Sequence, residues 1–68
     1  MKHFLFCETN SGEEFIVGHI SLEEAKILAI EICREIAINY ADNEHAFNCE
    51  YCGELTEEEA EGSGLDEY

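Results

Sequence analysis

The sequence predicts a small α+β domain in ββαβ order, with one helix packed across a short antiparallel sheet. Three observations lead there: two β-prone apolar runs joined by turn residues, a capped segment of helical period, and a later segment of strict alternation. A length of 68 residues fits one domain of this size, which buries only about 60% of its unfolded surface. A large enzyme with a deep, walled active site is excluded. The 46% apolar content, with three Tyr and four Phe, is too high for a disordered chain, because disorder requires too little apolar surface to offset chain entropy.

The first strand is expected from Lys2 to Glu8, around Phe4, Leu5, Phe6 and Cys7, and Thr9-Asn10-Ser11-Gly12 supplies the turn. Glu14 to Ile20 reads as the second strand, with Phe15, Ile16, Val17 and Ile20. So short a connection makes the pair antiparallel. Ser21 stands three residues before Glu24, the spacing of a capping box. After it, Leu22, Ala25, Leu28, Ala29, Ile32, Cys33, Ile36 and Tyr40 share one broad helical face expected to cover the sheet. Glu23, Glu24, Glu31, Arg34 and Glu35 point elsewhere, and Ile27 and Ile38 project from the opposite side. Ala46 to Cys52 alternates Phe47, Cys49 and Tyr51 against Asn48 and Glu50, as a third strand buried on one face does. The expected organisation is a single ββαβ domain over residues 1–55 and an acidic C-terminal tail over 56–68, in which Thr56 before Glu57, Glu58 and Glu59 suits the cap of a short helix.

Charge is distributed unevenly. The chain carries 17 Asp+Glu against 3 Lys+Arg, a formal net charge of -14. Residues 1–41 hold seven acids and all three bases, whereas residues 42–68 hold ten acids and no Lys or Arg. Such a balance repels DNA, RNA and anionic lipid, so the natural partner is a basic protein surface. No apolar run reaches the ~20 residues of a membrane-spanning helix, and the four apolar residues after His3 are too few for a secretory signal. A cytoplasmic location is expected, and cysteines there act as thiols or metal ligands rather than as a disulfide framework.

Two kinds of chemistry fit. In Cys49-Glu50-Tyr51-Cys52-Gly53, two thiolates two residues apart can grip one tetrahedral ion, and the motif resembles one knuckle of a zinc ribbon. It is half a site, because the chain has no second Cys-x-x-Cys or His pair of ligand spacing. Cys7 with His45 would complete it, as would a homodimer with a site shared between chains. Cys7 and His3 together would not, since four residues of strand span about 13 Å. Acidic neighbours such as Glu50 and Glu54 would raise a thiol pKa, against a thioredoxin-like role. No phosphate loop, dinucleotide fingerprint or nucleophile elbow is present, and no catalytic residue is assigned.

The second chemistry is electrostatic. Carboxylates three or four apart on a helix lie ~5–6 Å from one another, comparable with phosphates along a nucleic-acid strand. Glu23, Glu24, Glu31 and Glu35 form one such group, and Asp42, Glu44, Glu50, Glu54, Glu57, Glu58 and Glu59 extend the field. Ile27, Ile38, Tyr51, Leu65 and Tyr68 are candidate anchors beside it.

In size, acidity and mixed α/β pattern the chain resembles small phage-encoded inhibitors that imitate DNA, the class that includes anti-restriction and some anti-CRISPR proteins. The resemblance implies a stoichiometric, non-enzymatic inhibitor that blocks the nucleic-acid site of a nuclease or other DNA-binding protein in the host bacterial cytoplasm. The alternative is a zinc-binding or thiol-containing adaptor centred on Cys49 and Cys52.

Overall fold

Both of the first two strands are apolar on successive residues, which demands cover on both faces of the sheet. The computed structural model, which describes residues 1–41 and 47–68, supplies that cover. Strand β1 (Lys2–Glu8) and strand β2 (Glu13–His19) form an antiparallel hairpin, helix α1 (Leu22–Ala41) follows, and strand β3 (Cys49–Leu55) and the short helix α2 (Glu57–Gly62) complete the order. The three-stranded sheet runs β2-β1-β3 with β1 central, and both pairings are antiparallel. The ββαβ arrangement expected from the sequence is therefore the observed one.

One face of the sheet presents Phe4, Phe6, Phe15 and Val17 to Ala25, Ala29, Ile32, Cys33 and Ile36 of α1, and these residues form the main core. Phe6 stacks on Phe15 with ring centres 5.9 Å apart, and Tyr51 meets Phe6 at 5.5 Å. On the other side, α2 packs on β1 and β3 with Ala60 buried, and the segment after it bonds alongside Ile16, which is fully buried. The acidic residues 56–68 are folded onto the sheet. Their last part lies along β2 as a parallel bridge between Ile16 and Glu67. Ile16 N donates to Asp66 O (2.9 Å), Tyr68 N to Ile16 O (2.8 Å) and Gly18 N to Tyr68 O (2.8 Å). Tyr68 packs edge-on against Phe15, and His3 Nδ1 lies 2.6 Å from Glu67 Oε2.

Several local expectations need correction. The third strand is Cys49–Leu55, later than the alternation at Ala46 to Cys52 suggested. A bulge is the reason: Leu5 pairs with Gly53 but Phe6 with Tyr51, leaving Cys52 as an extra residue, and Gly53 takes a φ of 123° that favours glycine. Ile20 lies beyond β2 and is exposed. Tyr40 is on the expected core azimuth of α1 but 64% exposed, in the last turn of the helix. Ser21 caps α1 through Glu24 N (3.3 Å), yet the Glu24 carboxylate turns to His19 Nδ1 (3.1 Å) instead of closing a reciprocal box. The complete capping box is in α2, where Thr56 Oγ1 accepts from Glu59 N and Glu59 Oε1 accepts from Thr56 N. It offsets the repulsion among three neighbouring glutamates, which the helix dipole also favours at that end.

The hairpin turn is built around Glu8, whose residue is fully buried. Its carboxylate accepts from Ser11 N (2.8 Å), Asn10 Nδ2 (3.0 Å) and Asn48 N (2.9 Å). Burial alone would raise its pKa, but the donors from Asn48, Ser11 and Asn10 override it and hold the group at about 2. One side chain thus ties the first turn to the start of β3.

Candidate acidic interface

Every described acidic residue except Glu8 is exposed. Among the described residues the carboxylate ion pairs are with histidines, His3 with Glu67 and His19 with Glu24, and none of Lys2, Lys26 or Arg34 is paired with a carboxylate. The negative field is consequently uncompensated by fixed cations. Self-repulsion of this kind is screened by ions. Raising NaCl from low to about 0.5 M should increase the melting temperature by roughly 5 °C, the equivalent of about 1 kcal/mol in a domain of this size. A flat melting curve across the salt series would show that the acids are too far apart to repel.

The sequence treats the acids as one field, whereas the fold sorts them into layers. Glu23, Glu24, Glu31 and Glu35 lie on the outer side of α1, with Glu24 turned toward β2 through His19. Glu57, Glu58 and Glu59 belong to α2, on the far face of the sheet. Glu50 and Glu54 are on β3, the strand that both helices border and an edge of the sheet. Asp42, Glu44 and His45 lie outside the described residues. Of the expected apolar anchors, Ile27 is 66% exposed, Tyr51 and Tyr68 are exposed, Ile38 is half-buried beside Glu31, Arg34 and Glu35, and Leu65 is half-buried. Tyr68 is already engaged by Phe15.

Sequence reasoning missed Ile30. It is 49% exposed and, with Phe6, Lys26, Cys49 and Tyr51, lines a groove of about 290 Å³ between α1 and β3. The Lys26 ammonium sits 5.8 Å from the centre of the Tyr51 ring, a cation–π contact. The available signal was azimuth: Ile30 lies about 80° round from Leu22, at the border of the apolar arc where helix meets sheet edge.

The two thiols of the Cys-x-x-Cys motif occupy different surroundings. Cys49 packs against the α1 core, with its thiol facing that of Cys33. Cys52, at the bulge, is exposed and donates to Glu50 O at 3.6 Å. Burial raises the Cys33 thiol, reinforced by the facing Cys49. Partial burial, then Cys7 and Glu50, raise Cys52, and partial burial followed by Glu14 and Glu50 raises Cys7. All three are poorer nucleophiles and metal ligands than a free thiol at neutral pH. Among the described residues no three His, Cys, Asp or Glu side chains converge as a metal site. No helix among them is long and apolar enough to cross a membrane.

Comparison with known proteins adds no relative. No family model, curated protein or solved structure matches this chain.

Proposed function

We propose that this protein is a non-enzymatic acidic binder that docks on a basic, nucleic-acid-binding surface of a protein target and blocks it, as a DNA-mimic inhibitor of a nuclease or of a CRISPR or restriction effector does. The observation that carries this is the exposure of every described carboxylate but Glu8, with no lysine or arginine pairing any of them. Carboxylates held on a folded surface without local cations attract a basic groove at long range and accelerate encounter. A net charge of -14 also exceeds the roughly 2–8 that solubility of a small domain calls for.

The test is capture of bacterial DNA-binding proteins on the immobilised protein, followed by elution with NaCl and with duplex DNA. Retained proteins are expected to leave as salt rises and to be displaced by DNA at constant ionic strength. Retention that duplex DNA does not disturb would overturn the reading, because a blocker of a nucleic-acid site must compete with nucleic acid.

A further inference from the structure

The two edges of the sheet are treated differently. The outer edge of β2 is closed by the chain itself, through the backbone bonds to Asp66 and Tyr68. The outer edge of β3 has no strand beside it among the described residues. An open strand edge presents unpaired N–H and C=O groups that template the addition of another strand. We propose that the β3 edge is a strand-addition site for an extended basic segment of the target, with apolar side chains on the α1 side and Lys or Arg on the other. The proposal rests on the acidic-binder reading above and assigns that reading its contact.

The chemistry on the two sides of β3 sets this pattern. Toward α1 the edge adjoins Tyr51 and Ile30, both exposed, and the groove they line with Phe6, Cys49 and Lys26. A strand laid beside β3 would cover that apolar surface with alternate residues, and Lys26 discourages cations there. Away from α1, Glu50 and the glutamates of α2 border the strand and attract cations. A second copy is the wrong occupant. It would bring its own Glu50 and Glu54 against these and join two chains of charge -14. Acids on the edge and the bulge at Cys52 are the usual devices against self-pairing. Here the acids that reject a like-charged strand favour an oppositely charged one, and Cys49–Tyr51 is the uninterrupted stretch before the bulge.

The experiment titrates the isotope-labelled protein with a synthetic peptide of alternating Lys and Val, followed by amide chemical shifts and hydrogen exchange. Saturable shifts at residues 49–55 and at Ile30, with slowed exchange of outward β3 amides, are expected. A peptide of equal charge in which every Val is Pro, and which cannot pair as a strand, should bind at least about tenfold more weakly. Ile30→Ser should weaken the Lys-Val peptide several-fold while leaving the Pro peptide unaffected. Equal binding of both peptides, with shifts spread over α1 and α2, would refute strand addition while leaving the acidic-binder reading intact. Outward β3 amides already protected without peptide, in a protein that sediments as a dimer, would place a second copy there and overturn the proposal. The absence of any peptide binding at low salt would also overturn it. The acidic-binder reading itself stands or falls on DNA competition, so the two failures are distinguishable.

Discussion

Glu8→Ala should lower the unfolding free energy by about 2 kcal/mol, read as a drop in denaturant midpoint, since it removes a buried carboxylate that accepts three part-buried hydrogen bonds. The donors are the backbone amides of Ser11 and Asn48 and the side chain of Asn10. Small domains hold only about 0.05–0.15 kcal/mol per residue, roughly 3–10 kcal/mol for 68 residues, so the loss is a large share of the total. Glu8→Gln retains an acceptor and should lose less. The charge of Glu8 also sets a pH signature. Its folded pKa of about 2 lies below the ordinary 4.5, so its contribution is complete above about 4.5 and is lost as pH falls through about 2. Glu8→Gln leaves every other carboxylate in place and is the reference. The informative quantity is therefore the stability of the unsubstituted protein minus that of Glu8→Gln, which should shrink between pH 4.5 and pH 2. A constant difference across that range would mean that Glu8 is not ionised in the folded state.

Reversing acids on α2 should weaken target binding by up to ~100-fold at low salt and flatten its salt dependence. Glu57, Glu58 and Glu61 to Lys shifts the net charge by six units, and each exposed pair lost or reversed is worth up to about 1 kcal/mol. Glu59 must be kept, because its side chain closes the capping box with Thr56. Lysines in the first turn of α2 oppose the helix dipole and cost a few tenths of a kcal/mol, so a melting curve separates folding from binding. The matching variant on the other layer is Glu23 and Glu31 to Lys. If only the α1 pair affects binding, the contact lies on the helix face. If neither does, the electrostatic account fails.

The sequence revealed most of the architecture and less of the surface. Strand β1 was readable to the residue because its apolar run is bounded by Lys2 and by the turn after Glu8, and α1 because Ser21 and a long apolar arc mark it. The bulge hid the extent of β3, since one inserted residue reverses the alternation from which a strand is read. The buried state of Glu8 was invisible for a different reason. Its key partner, Asn48, is 40 residues away, and no local pattern encodes that pairing. The described acids other than Glu8 are outward, but a charge count carries no information about layers, so their division between α1, β3 and α2 needed the fold.

The span of chain enclosed by these contacts also bears on how the protein folds. The hairpin and α1 are joined by local contacts, whereas β3 reaches Glu8 across 40 residues and Glu67 reaches His3 across 64. Closing such loops costs entropy before any contact repays it, which slows folding relative to other chains of this size. The bridge along β2 closes the longest of these loops and is expected to form last. Contacts made after the transition state govern how fast the native protein opens and leave the rate at which it forms nearly unchanged. In this fold, then, substitutions that open the β2 edge should speed unfolding and leave the rate of folding nearly unchanged.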